Sequence, residues 1–519
     1  MTMENKNAYP EIPAEKFAFA RRENEKIHDK KLYTKPVGYF RDAMRRFGKN
    51  KSSVVAAYIL LALFLFALIV PFVSHYDVSF RDGYYKLAPP KFGPLAFLGM
   101  DGCNERREPQ AGYDYYKSIG VEYGSTSVKK VKNVTMDENT GKPFYTINVD
   151  YYEKVGFVYV DLSENEYNAL KEYQNKTGIQ VAYPIPANYK TNFLAVNGAN
   201  LWYELADESA STAGMSAHHD ENGDPIFVPA YRTSKKENSG RYDSIKLASD
   251  NGGENGDAWY VYAVKNQSGY RLRVLYKEYY KYQNGFYSEH IFGTNQDGQD
   301  LFVCMAVGAR ISFLISISVV IFIIPFGLIY GAIEGYYGSV ADLIMERIAE
   351  IISSVPFIVV ATLVNMHLLK YVGPMWCLWI SFVYADWVGI AGRVRTQFYR
   401  FKGQEYVLAA RTLGASDKRL IFRHILPNSL GTIVTGTILI IPGVISSEII
   451  LSYLGIVSFQ TSNIVSMGTI LSQGESYLST YPHMLMFPAA YIALLEIAFN
   501  LFGNGLRDAL NPSLRGADE

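Results

Sequence analysis

Residues 54–73 read VVAAYILLALFLFALIVPFV without one charge, and no other stretch limits the possible folds so sharply. A helix rises 1.5 Å per residue, so about twenty apolar residues cross the ~30 Å hydrocarbon core of a bilayer. A secretory signal is the competing reading. However, residues 1–53 precede the run and are mostly polar or charged. The run is also long for a signal core, and no small-residue cleavage site follows it. A retained membrane span is expected.

Further apolar runs lie at 311–332, 352–372, 375–391, 432–454 and 483–502, with Pro356 and Asp386 interrupting two of them. The predicted fold is a polytopic α-helical membrane protein of about six transmembrane helices. Whole-chain composition hides this. The chain is 49% hydrophobic and 19% charged with a formal net charge of zero, because the middle third is polar and Tyr-rich. That charge balance gives no basic face for nucleic acid. Cys103, Cys304 and Cys377 are too far apart in sequence to suggest a disulfide framework or a metal site.

Basic residues flanking short loops set the orientation. Residues 1–51 carry 13 Lys/Arg against 7 Asp/Glu, and 393–423 carry eight basic residues against Glu405 and Asp417. Both segments are expected on the cytoplasmic side, as is the tail with Arg507 and Arg515. The segment 75–290 then lies outside the cell. It alternates with period two in VKKVKNVT from Val128, FYTINVDYY from Phe144, GFVYVDL from Gly156 and WYVYAV from Trp259, which predicts strands. Ser163 followed by Glu166 opens one amphipathic helix over 163–176. Gly/Asn/Asp clusters such as NGGENGD from Asn251 mark turns. An inserted α+β or mainly β domain is expected. Its tyrosines suit half-buried strands, or else a peptide- or carbohydrate-contacting surface. NQDGQD from Asn295 lacks the glutamate that a calcium loop needs at its twelfth position, so a turn or helix start is expected there.

Between the fourth and fifth runs, Tyr406, Ala409, Ala410 and Leu413 fall at helical spacing. Gly414 suits a left-handed helix end, Ser416 an N-cap with Asp417 after it, and Pro427 a stop. Physically this is two short helices. They could lie on lipid headgroups, or the small residues could admit another protein's surface.

The pattern Ala409-Ala410-x3-Gly414-x10-Ile425-x-Pro427 resembles the coupling loop of importer-type ABC permeases, with Leu408 where that family has glutamate. Phe292-Gly-Thr-Asn295-x2-Gly298-x-Asp300 and Gly308-Ala-Arg-Ile-Ser312 are similar to the signature of oligopeptide, dipeptide and nickel permeases of the C type. Gly335-Tyr-Tyr-Gly338 through Asp342 and Arg347, Glu448-x2-Leu-Ser452-Tyr-Leu-Gly455, Gly468-Thr469 and Gly503-x-Gly505-Leu-Arg507-Asp508-x2-Asn511-Pro512 also resemble its landmarks. The resemblance covers about 36–100 and 288–515, and the long insert is the departure from it.

The resemblance implies an ATP-driven importer permease, for peptides or another small solute such as nickel. It implies a coupling loop over 403–428 acting through Glu405, Ala409, Ala410, Arg411, Gly414, Ala415, Ser416, His424 and Pro427. The implied partners are a second permease subunit forming a heterodimer, two cytoplasmic ABC ATPases, an extracellular substrate-binding lipoprotein, and membrane lipid. The implied location is a bacterial plasma membrane.

No Gly-x4-Gly-Lys-Ser/Thr loop occurs in the chain, so ATP and Mg are expected to be used by the partners. This chain is expected to be no enzyme and to bind no cofactor. Asp386, Glu448 and Glu496 are costly in lipid and are expected to line the path or bond between helices. Pro356, Gly389 and Pro442 are candidate bends. The expected division is 1–51, 52–74, the insert 75–290, a permease core 291–504 and a tail 505–519. A ligand-binding receptor would instead need a signalling segment at one terminus. An ion-driven transporter would need more spans.

Overall fold

The computed structural model describes residues 39–510 other than 139, 187–197, 201–202, 206–218, 221–223, 230, 236, 238–239, 246–258, 458 and 460–464. Most of the segment 1–51, the end of the tail and the turn cluster at 251–257 lie outside the described residues.

Helix α1 (Tyr39–Lys49) leads into α2 (Lys51–Val73), whose N-cap Asn50 accepts from the Ser53 amide. Leu61, Leu65, Leu68 and Phe72 on one side of α2 are exposed, as a lipid-facing stripe should be. Small residues cover the other side. Ser53 donates to the Leu501 carbonyl, and a Cβ on Gly505 would come within 1.9 Å of the Ser53 hydroxyl.

The insert follows. Its elements are β1 (Cys103–Pro109), α3 (Gln110–Ser118), β2 (Val128–Met136), β3 (Pro143–Asp150), β4 (Phe157–Leu162), α4 (Glu164–Thr177), β5 (Ala182–Tyr183), β6 (Tyr203–Leu205), β7 (Phe227–Pro229), β8 (Thr233–Ser234), β9 (Tyr242–Ile245), β10 (Trp259–Lys265), β11 (Tyr270–Leu275) and α5 (Tyr276–Asn284). One sheet runs β1-β3-β2, a larger one is built on β4-β11-β10-β8, and β6 pairs with β7. All named pairings are antiparallel. The four expected strands and the expected helix form, and Ser163 and Glu166 make the reciprocal capping box of α4. The tyrosines are largely core: Tyr85, Tyr151, Tyr152, Tyr262, Tyr276, Tyr279 and Tyr280 pack in one buried cluster. Arg273 is wholly buried, with its fork on Glu122 at 2.8 and 2.9 Å and further bonds to the Ala199 and Pro184 carbonyls.

The membrane helices resume with α6 (Leu301–Tyr337), α7 (Ser339–Ser354), α8 (Phe357–Val372), α9 (Pro374–Ala385) and α10 (Trp387–Phe401). Then come α11 (Glu405–Thr412), α12 (Asp417–Arg419), a π-helical turn (Leu420–Ile425), α13 (Leu426–Thr437), α14 (Ile440–Tyr453), α15 (Met467–Glu475) and α16 (His483–Leu510). Five helical stretches are long and apolar enough to span, or six when α7 and α8 count as one span bent by 74°. The run 352–372 expected as a third span is therefore broken: its first residues end α7 at Ser354, and α8 starts at Phe357. Pro356 drives Val355 out of the helical region (φ −82°, ψ 120°), and a corner results where a kinked helix was expected. The fourth span extends through Asp386 to Phe401. Pro427 does not stop a helix. The π-helical turn before it re-registers the hydrogen bonds, with the Leu426 amide donating to Ile421, and one helical stretch runs from Asp417 to Tyr453.

The insert hangs from a seam. Segment 82–91 is laced to 290–298 by main-chain bonds from Asp82 to Gly298, Leu87 to Asn295, Lys91 to His290, and Thr294 back to Ala88. The seam explains the Phe292–Asp300 motif. The Thr294 hydroxyl accepts from the Ala88 amide and donates to the Tyr85 carbonyl, while Asn295 Oδ1 accepts from the Asp297 and Gln299 amides. Asp300 caps α6 at Val303 and binds His290. Gly293 and Gly298 have positive φ, and a Cβ there would sit 2.3 Å from the Ala88 carbonyl oxygen and 1.9 Å from that of Asp82.

Gly298→Ala should therefore destabilise the protein by about 3 kcal/mol or more. The comparison is the thermal midpoint in detergent against Gly48→Ala, where a Cβ meets nothing within 4 Å. Equal midpoints would mean that the seam does not hold.

Candidate functional site

One end of the helix bundle carries the segment 402–426 and the other carries the insert. At the first end, α6 and α10 pack as closely as backbones allow. Gly327, Gly331 and Gly335 recur every four residues on α6. A Cβ at each would meet α10 at 2.8, 2.2 and 2.7 Å, with backbone atoms of Trp387, Ala391 and Arg395 among the contacts. The spacing was present in the sequence, and only Gly335 was singled out there.

This contact fixes a polar knot. Arg395 forks onto Asp342 at 2.6 and 3.0 Å, and stands 3.4 Å from both Glu334 and Glu346. Three carboxylates from α6 and α7 thus converge on one guanidinium from α10. Sequence reasoning noted Asp342 as a landmark but missed Arg395 and Glu334, because nothing along the chain pairs residues 61 positions apart.

The loop is anchored on its inner side and bare on its outer side. Val407, Leu420, Ile421 and Ile425 are buried in the core cluster that also contains Tyr336, Val394 and Phe398. Gly414 turns the chain with φ +82°. Ser416 stands at the N-cap of α12 in extended conformation, though its hydroxyl makes no capping bond. The Tyr336 hydroxyl donates to Asp417 at 2.5 Å and receives Arg411 at 3.4 Å, while Lys402 Nζ binds the Gly335 carbonyl at 2.9 Å. Glu405, Ala409, Arg411 and Ser416 are exposed, Ala410, Ala415 and His424 half-buried, and Pro427 exposed. Leu408 and Tyr406 are largely exposed, and Leu413 is 88% exposed.

At the insert end, motif residues that are remote in sequence converge. Glu448 is fully buried and accepts from Ser312 at 2.6 Å and Ser452 at 3.0 Å. Gly308 and Gly468 allow the close approach of α15, where a Cβ would meet Met467 N at 3.0 Å and the Ile449 carbonyl at 2.3 Å. Glu496 accepts from Ser446 at 2.5 Å, tying α16 to α14. Asp386, at the junction of α9 and α10, is half-buried, and its carboxylate has no hydrogen bond among the described residues. Gly389 and Gly392 lie exposed beyond it. Ser288, His290 and Asp300 have the hydrogen-bond order of a hydrolase triad, at 2.9 and 2.7 Å. All three are buried beneath Tyr76, however, and they brace the seam. Among the described residues, no group of three or more His, Cys, Asp or Glu could hold a metal.

Residues 323–516 match the family model described as binding-protein-dependent transport system inner membrane component. The chain is also 41% identical over 227 residues to the oligopeptide transport system permease protein OppC of Bacillus subtilis. That alignment covers 44% of this chain and 73% of the relative. The chain belongs to the binding-protein-dependent transport permease family. Residues 38–90 match the model for the N-terminal TM domain of oligopeptide transport permease C. The OppC protein of Haemophilus influenzae is 38% identical (44% and 71% covered), and the dipeptide transport system permease protein DppC of Bacillus subtilis is 37% identical (44% and 70% covered). This family member is thus an ABC importer permease subunit of the C type, and the two family models leave 91–322 unmatched.

Arg395→Ala leaves the buried Glu334 and its two neighbours without a counter-charge and should cost about 3 kcal/mol. Arg395→Lys should recover part of that, because it keeps charge but loses the fork. Unfolding in detergent of both variants reads the difference, and equal loss in the two would refute the role given to the fork.

Proposed function

We propose that this chain forms half of the translocation path of an ATP-driven peptide importer and couples that path to a cytoplasmic ATPase through residues 403–428. The observation that carries this is the loop's division into two faces. Val407, Leu420, Ile421 and Ile425 hold it to the bundle, while among the described residues Leu413 is left 88% exposed and Leu408 46% exposed. Large apolar side chains beside Glu405, Arg411 and Arg419 suit a protein cleft better than water. In this reading Leu408 replaces a polar contact with an apolar one, and Gly414 sets the angle between the two short helices.

The assembly comprises a second permease subunit as heterodimeric partner, two ABC ATPases that bind the ATP and Mg, and an extracellular substrate-binding lipoprotein. It sits in a bacterial plasma membrane, with the loop end and both termini inside and the segment 75–290 outside. The relatives named as oligopeptide and dipeptide permeases support peptide as the cargo. Glu448 and Glu496 hold helices together, whereas Asp386, whose carboxylate has no partner among the described residues, lines the path. The insert stands beside the outer mouth, where Tyr151 meets Tyr481, and offers a surface to the binding protein.

Leu413→Asp tests the docking face, since a side chain this exposed contributes little to the fold. The variant should bring down its ATPases at least tenfold less efficiently in pull-down from detergent, the size expected for loss of one interface anchor, while its own melting temperature holds. Undiminished co-purification and uptake would remove the loop from the interface.

A further inference from the structure

At the loop end, α10, α13 and α16 line an open cleft with a volume of about 560 Å³, within the ~300–1,000 Å³ range of small-ligand sites. Its lining includes Arg393, Thr396, Gln397, Thr432, Thr435 and Arg507, and none of the lining residues is acidic. The first arginine is held in place. Its guanidinium donates to the Gly436 carbonyl, and a Cβ at Gly436 would come within 3.3 Å of that group, so glycine keeps its bed open. The Arg507 side chain has no hydrogen bond or ion pair among the described residues, while the buried Oε1 of Gln397 has no hydrogen-bond partner there. Thr396 and Thr435 already donate to the Gly392 and Thr432 carbonyls, so the cavity offers two cations, the Thr432 hydroxyl and one unfilled acceptor. A carboxylate beside an amide N–H matches that set, and this is the C-terminal end of a peptide.

We propose that the cavity is a subsite for the terminal carboxylate of peptide cargo, with Arg393 and Arg507 as counter-charges and Gln397 accepting the last peptide N–H. This rests on the proposed transport function and adds which part of the cargo the path recognises. Arginine suits the task because its planar fork matches a carboxylate and never loses its charge. A lipid phosphate carries similar chemistry, and Ile433, Leu439 and Leu510 in the lining give its acyl chains an apolar flank, so the test separates the two sources.

The test uses the reconstituted complex with its ATPases and binding protein, and radiolabelled tetra-alanine or its C-terminal amide as probe. In the double variant Arg393→Gln, Arg507→Gln, the ratio of free-acid to amide uptake should fall about tenfold relative to wild type. The double lysine variant should lose less. A ratio within twofold of wild type overturns the proposal. So does a fall seen only in vesicles that contain anionic lipid, which makes the cavity a headgroup site. Should the double variant fail to assemble, Gly436→Ala displaces Arg393 by contact alone, and its ratio decides in the same way. Wild-type vesicles that take up neither peptide would remove the peptide-importer reading itself, and this subsite with it.

Discussion

The contact on which the rest depends is the run of glycines on α6 against α10. In lipid, helices gain nothing from hiding apolar surface from each other, so association rests on close packing and on polar bonds. Gly327, Gly331 and Gly335 supply the packing, since each leaves no room for even a methyl group before α10. That approach brings Arg395 within reach of Glu334 and Asp342, Lys402 within reach of the Gly335 carbonyl, and Tyr336 up to the loop. The polar knot is thus a consequence of backbone proximity and reinforces it in turn.

A mechanical reading follows for the loop. Its two short helices are not free appendages, because Val407 and Ile421 enter the same core as Phe398, and Asp417 is tied to Tyr336. Beyond them the chain continues without a stop through the π-helical turn into α13 and α14, as far as the buried Glu448. Displacement at Leu413 therefore has two rigid routes into the bundle, through α6 at Tyr336 and along the stretch from Asp417. The Glu448 clasp to Ser312 joins those routes again at the far end.

Much of this was legible in the sequence where the signal was local. The run 54–73 became a span ending at the same residue, the box at Ser163 became a capped helix, and the period-two runs became strands. What was not legible depended on distant partners. Pro427 read as a stop because a π-helical turn is a tertiary accommodation that no local rule announces. The corner at Pro356 needed knowledge that α7 folds back toward α10. The Arg395 knot joins elements whose neighbourhood is set by glycines that read, one by one, as ordinary apolar-helix residues. Tyr406 and Leu413 fell at helical spacing, but the side chain that anchors the helix in the core is Val407.

The insert obeys the same logic in reverse. It leaves after Gly102, whose amide binds Pro90, and returns at His290, whose carbonyl receives Lys91. Its two ends are thus held together by the seam that also caps α6. A segment with adjacent ends can be added without moving the helices on either side, because the loop-closing contacts belong to the host. The insert in turn supplies Tyr276, whose hydroxyl donates to Asp82 at 2.8 Å, while Asp82 holds the Tyr84 and Tyr85 amides within the seam. The host could close this seam without the insert, but with it the seam gains a buried hydrogen bond and a tyrosine cluster. The insert is therefore anchored through this seam to the end of the bundle where Tyr151 meets Tyr481.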